Sequence, residues 1–130
     1  IVAASGVSNG KPWVPVNSAT LETSTANVFA IGDVNVVPAG DFAVPKAGVF
    51  ASGQGTTVGE IITSRINGSQ APEPYDGVGF CFMAYSGGRS ATVGGNFLAE
   101  GGPDSFLTDP TVSGMKSKDR FERDWRNFKI

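Results

Sequence analysis

The 130 residues include 40% hydrophobic and 17% charged side chains, a balance that suits one modest globular domain and excludes a disordered tail. A formal net charge of −2 leaves no basic excess for nucleic acid, and no apolar run approaches the length of a transmembrane helix. Histidine is absent and Cys81 is the only cysteine, which excludes imidazole metal sites, Ser-His and Cys-His nucleophile pairs, and any disulfide closed within the chain.

Eighteen glycines and eight prolines favour short elements joined by tight turns. Ile1 stands where an initiator methionine would be and residues 1–7 read like mid-domain sequence, so the chain is expected to be the C-terminal portion of a longer protein. Residues 1–11 read as a short helical or irregular segment closing in the turn Ser8-Asn9-Gly10. Trp13-Val14-Pro15-Val16 follows as an edge strand or extended segment, because proline cannot donate to a central ladder. Residues 17–25 are polar and read as a loop. Val28, Phe29, Ala30 and Ile31 then form a continuous apolar run, the pattern of a strand buried on both faces of a parallel sheet. That run stops at Gly32-Asp33, where the chain must turn and present a carboxylate at the strand's carboxyl end, the end at which open α/β sheets bind ligands.

Residues 35–41 read as a Pro/Gly loop leading to Val44-Pro45-Lys46-Ala47-Gly48 and a helix over 48–66. Its apolar or small positions Val49, Gly53, Thr57, Ile61, Ile62 and Ile66 follow helical spacing, and Asn67-Gly68 is a common stop. The helix contains Gly48, Gly53, Gly55 and Gly59, each costing roughly 1 kcal/mol relative to alanine, a cost that makes sense where backbone approaches another surface closely. After the connector 69–74, residues 75–85 read as a strand, 86–89 as a hairpin turn and 90–98 as a second strand. A third strand over 105–108 and a closing helix over 116–128 complete the chain, the helix aligning Phe121, Trp125 and Phe128 on one face.

The stretch 28–33 resembles the second flavin-binding motif of the FAD-dependent pyridine nucleotide-disulfide oxidoreductases, an apolar strand ending in Gly-Asp. With Val44-Pro45-Lys46-Ala47-Gly48-Val49-Phe50-Ala51-Ser52-Gly53-Gln54-Gly55 and the strand Tyr75-Asp76-Gly77-Val78-Gly79-Phe80-Cys81-Phe82, the pattern is similar to the sulfide dehydrogenase (flavocytochrome c) and sulfide:quinone oxidoreductase branch of that family. The resemblance covers most of residues 10–100. It implies an α/β fold: a fragment of a parallel, Rossmann-like FAD-binding sheet with its helix over 1–68, then a small antiparallel β and helix subdomain over 69–130.

The resemblance also implies roles. Asp33, flanked by Ile31, Gly32 and Val34, would hydrogen-bond the ribityl chain of FAD, as suits a carboxylate that only accepts. Pro45, Lys46, Ala47, Gly48 and Val49 would face the flavin ring, where a helix amino terminus favours negative charge. Cys81 would be one of two redox thiols receiving sulfide sulfur, its partner lying in the missing N-terminal part. No glycine-rich pyrophosphate fingerprint is present; Gly53-Gln54-Gly55 with Gly59 has the wrong spacing and lies inside a helix. The chain alone is therefore expected to bind FAD weakly or not at all. Quinone, cytochrome and nicotinamide all stand as electron acceptors. A type II NADH dehydrogenase-like reductase, for which Cys81 is unnecessary, and a non-catalytic dimerisation module are the competing readings. Exposed strand edges on a fragment lead to the expectation of a homodimer.

Overall fold

The structure, a computed structural model, describes residues 2–127 and is a mixed α/β chain with two α-helices and small open sheets among those residues. It packs as two compact units. The first comprises the residues up to Gly79 together with Asn96–Asp104, and the second comprises Phe80–Gly95 and the residues from Ser105 onward.

In the first unit the apolar run 28–31 is not the expected sheet strand. Leu21 and Asn27 both take positive φ, 62° and 61°, and fold residues 21–30 back on themselves. Glu22 bridges Phe29 in antiparallel fashion, the Thr23 N–H donates to the Val28 carbonyl at 2.8 Å, and the Ala30 N–H donates to that of Leu21 at 3.2 Å. Of the run only Ala30 is buried, while Val28 and Ile31 are exposed. A local backbone return thus satisfies groups that a buried strand would have given to its sheet neighbours.

The sheet pairing comes after the Gly-Asp step rather than before it. Gly32–Val34 forms a single 3-10 turn, and β2 (Asn35–Val36) then pairs in parallel with β1 (Val14–Pro15), Val14 facing Asn35 and Pro15 facing Val36. Residues 35–41, expected as loop, continue into β3 (Pro38–Ala39), which returns as β4 (Phe42–Ala43) in an antiparallel pair around Gly40 at φ 62°. Among the described residues, parallel pairing is confined to the two-residue β1 and β2.

The helix α1 (Gly48–Asn67) follows the expected span. It ends where Gly68 turns left-handed at φ 64° and returns its N–H to the Ser64 carbonyl. Its buried stripe is Phe50, Gln54, Thr57, Val58 and Ile61, whereas Ile62 and Ile66 of the expected stripe are exposed. Val14, Leu21, Val37, Ala39 and Tyr75 join Phe50 and Val58 in the core. Tyr75 is anchored by its N–H to the Ala19 carbonyl at 2.9 Å and packs over Gly53, where an added Cβ would stand 3.5 Å from the ring. Gly79 leaves space for the Phe50 ring, which meets Phe97 edge-on at 5.4 Å. These contacts carry the first unit past the residue 68 boundary expected from the sequence.

An ion pair ties the 21–30 return to the far end of α1. Arg65 grips the Glu22 carboxylate with both terminal nitrogens at 2.8 Å, also donates to the Asn27 side-chain oxygen at 2.8 Å, and stacks on Phe29 at 5.2 Å. The Asn27 N–H donates to the same carboxylate at 2.6 Å. Arg65 first, and then the Asn27 amide, lower the Glu22 pKa from an ordinary 4.5 to about 2.

The second unit holds all but the end residues of β5 (Val78–Tyr85), β6 (Arg89–Asn96) and β7 (Asp104–Leu107), in that order across one sheet, with α2 (Val112–Arg126) following. The strand begins at Val78 rather than Tyr75, because Gly77 takes φ 68° and the Asp76 carboxylate accepts the Val78 N–H at 3.0 Å. Gly87 and Gly88, at φ 73° and 65°, close the β5–β6 hairpin. The helix begins four residues earlier than expected. Thr111 caps it, accepting the Gly114 N–H at 2.8 Å, while its backbone exchanges two hydrogen bonds with Ser90. Phe121 packs against Phe80 and Phe82, each at 5.6 Å, and Trp125 stands 5.9 Å from Phe121. Phe128 lies outside the described residues.

Two consequences follow for stability. Gly59 is exposed within α1 and a Cβ there meets nothing within 4 Å, so Gly59→Ala is expected to raise the urea midpoint by an amount equal to about 1 kcal/mol. An unchanged or lower midpoint would contradict this. The depressed Glu22 carboxyl contributes stability that is complete above pH 4.5 and fades as the pH falls toward about 2. Glu22→Gln should therefore be less stable than the parent at neutral pH, with the gap closing through that acidic window. A pH-independent gap would show that the ion pair is not its source.

Candidate functional site

The residues singled out around Gly32 and Pro45 converge at the start of α1. Gly32, Asp33, Asn35, Pro45, Lys46 and Ala47 meet Gln54 and Phe50 in one packed junction, too tight to admit a water molecule. Its geometry is set by a buried amide. The Gln54 side-chain oxygen accepts the Gly32 N–H at 2.7 Å and the Asn35 side-chain amide at 3.0 Å, and that amide also donates to the Ala30 carbonyl at 2.8 Å. Gln54 and Asn35 are 3% and 4% exposed, so these bonds work in a low-dielectric interior.

Lys46 closes the outer side. Its ammonium donates to the carbonyls of Asp33 at 2.7 Å and Asn35 at 2.5 Å, and sits 5.0 Å above the Trp13 ring. The cation thus binds the backbone of Asp33 and leaves its carboxylate alone. That carboxylate is exposed, with no hydrogen-bond or ion-pair partner among the described residues. Ile31 and Val34 are exposed on either side of the turn. At the start of α1, Ala47 provides no side-chain cap, so the first-turn N–H groups of the exposed Gly48 and half-buried Val49 have no side-chain acceptor. At the surface beside this junction, the exposed Asp33 carboxylate can accept hydrogen bonds from hydroxyls, and the helix start favours electron-rich groups.

Burial raises the Tyr75 phenol above its ordinary pKa, and the nearby Gln54 tempers that rise without reaching hydrogen-bonding geometry. Cys81 belongs to the second unit. It is a half-buried free thiol in β5, on the strand face opposite the Phe80–Phe82–Phe121 cluster. Among the described residues no group of three or more carboxylates or thiols gathers as a metal site.

Asn35, Gln54 and Trp13 are the site residues that sequence reading missed. A polar Gln54 in register with Phe50, Thr57, Val58 and Ile61 was the one available signal, since a buried amide on an apolar stripe must find partners. The chain matches no protein-family model, no curated protein and no solved structure.

Removing the amide tests its organising role. Gln54→Leu leaves the Gly32 N–H without its acceptor and is expected to cost about 1–3 kcal/mol in urea denaturation. Faster hydrogen exchange should appear first at Gly32. A substitution that changes neither would show that the turn holds without Gln54.

Proposed function

We propose that this chain is the C-terminal part of an FAD-dependent oxidoreductase of the pyridine nucleotide-disulfide type, closest to the sulfide dehydrogenases and sulfide:quinone oxidoreductases. One observation carries the reading: the Gly32-Asp33 turn is stapled beside the start of α1, so that a free carboxylate and an uncapped helix amino terminus stand near one another. That donor and acceptor set fits a flavin, the hydroxyls of its ribityl chain suiting Asp33 and its electron-rich ring edge suiting Gly48 and Val49. Ile31 and Val34 supply exposed apolar surface beside the turn. Lys46, its ammonium committed to two carbonyls, acts by holding the turn. In this reading the parallel β1–β2 pair is the margin of a Rossmann-like FAD-binding sheet completed by the N-terminal part of the protein.

FAD, when bound, supplies the two-electron acceptor, and a quinone, cytochrome or nicotinamide takes the electrons onward. Cys81 contributes one sulfur of a disulfide with a cysteine in that N-terminal part. Sulfide adds to one sulfur, the S–S bond breaks, one cysteine carries a persulfide and the other leaves as a thiolate. The half-buried position of Cys81 in an aromatic strand also suits an inert thiol, which favours an NAD(P)H-dependent reductase as the second reading.

Anaerobic titration of the full-length protein separates the two. Sulfide is expected to bleach the flavin absorbance in the parent and fail to do so in Cys81→Ser, with FAD still bound. Asp33→Asn is expected to weaken FAD binding about tenfold, the loss of one charge-assisted hydrogen bond. Bleaching by NADH alone would move the protein to the second reading, and a full-length protein without flavin would overturn both. The isolated chain should show weak flavin binding or none.

A further inference from the structure

Asparagine followed by glycine occurs twice in the chain, at Asn9-Gly10 and Asn67-Gly68, and both asparagines are exposed. The backbone holds the two pairs differently. Asn9 and Gly10 take φ 52° and 77° as the central residues of a mirror-image turn, which the Lys11 N–H closes onto the Ser8 carbonyl at 3.0 Å. The Gly10 N–H takes no part in that closing bond. Neither it nor the Asn9 side chain has a hydrogen-bond partner among the described residues. Asn67 instead ends α1, and the Gly68 N–H is held by the Ser64 carbonyl as the helix cap, with the Ser69 N–H on the same oxygen at 3.0 Å.

We propose that Asn9 is a site of self-modification, converting to aspartate and isoaspartate in the folded protein while Asn67 persists. The step needs only water. The Gly10 nitrogen, once its proton passes to hydroxide, attacks the carbonyl carbon of the Asn9 side chain. A C–N bond forms, the bond to the side-chain nitrogen breaks, ammonia leaves, and a five-membered imide joins the two residues. Water then opens that ring at either carbonyl, so one amide and one water become one carboxylate and one ammonium, with no change of oxidation state. Glycine in second place removes the Cβ that would shield the attacking nitrogen, and it lets the chain rotate into the ring geometry. Gly10 can make this attack with an unbonded N–H, whereas Gly68 must first give up its bond to Ser64. The product turn carries a new negative charge and, in the isoaspartyl form, one extra main-chain carbon between the fully buried Ser8 and Lys11.

The full-length protein is aged in mildly alkaline buffer and digested with trypsin, which cuts at Lys11 and Arg65 and so puts the two asparagines on separate peptides. Mass spectrometry and isoaspartyl methyltransferase labelling follow each peptide in time. In the folded protein Asn9 is expected to convert about tenfold faster than Asn67, the cost of freeing one hydrogen-bonded N–H. In guanidinium, where the cap is gone, the two rates should draw level. Asn9→Gln should lack the early acidic species that ion exchange resolves from the parent. Asn67 keeping pace with Asn9 in the folded protein would overturn the proposal. So would an Asn9 that stays intact while the unfolded chain converts, a rate ratio that survives in guanidinium, or an undiminished acidic species in Asn9→Gln.

Discussion

The first unit depends on the Gln54 side-chain oxygen. It lies on the buried stripe of α1 and accepts from both the Gly32 backbone and the Asn35 side chain. Burying an amide without partners is costly, so helix, 3-10 turn and β2 must keep the registers that satisfy it. The site residues around Asp33 and Pro45 take their positions from that requirement. Their proposed chemistry therefore rests on a group that itself has no place in it.

Long polar side chains do in this unit what extended ladders do elsewhere. β1, β2, β3 and β4 are two residues each, too short to hold their neighbours by backbone pairing alone. Lys46 holds two carbonyls at one end of α1, and Arg65 holds Glu22 and Asn27 at the other. The fully buried Leu21, held at φ 62° between them, shows that tertiary packing outweighs the local preference of a bulky residue for negative φ.

The second unit is organised differently. No residue of α2 is buried, and its contact with the sheet is a stack of aromatic rings through Phe121. Edge-on ring contacts and a threonine cap can hold a short helix on a sheet, yet they leave apolar surface and one open strand edge outside.

Residue pattern alone determined the elements whose forces are local. The span of α1 followed from helical spacing and the Asn67-Gly68 stop, and the β5–β6 hairpin followed from apolar runs around two glycines, because caps and tight turns act within a few residues. The same pattern misread 28–31, since a short apolar run satisfies a buried strand and a backbone return equally well. Positive φ at Leu21 and Asn27 decided between them. The Gly32-Asp33 turn and the Pro45 helix start were both visible as separate segments of the chain. Their meeting was decided only by tertiary structure, because the bonds joining them, Gln54 to Gly32 and Lys46 to Asp33, connect residues 22 and 13 positions apart. Local sequence carries no preference over such separations; only the cost of unpaired buried polar groups does.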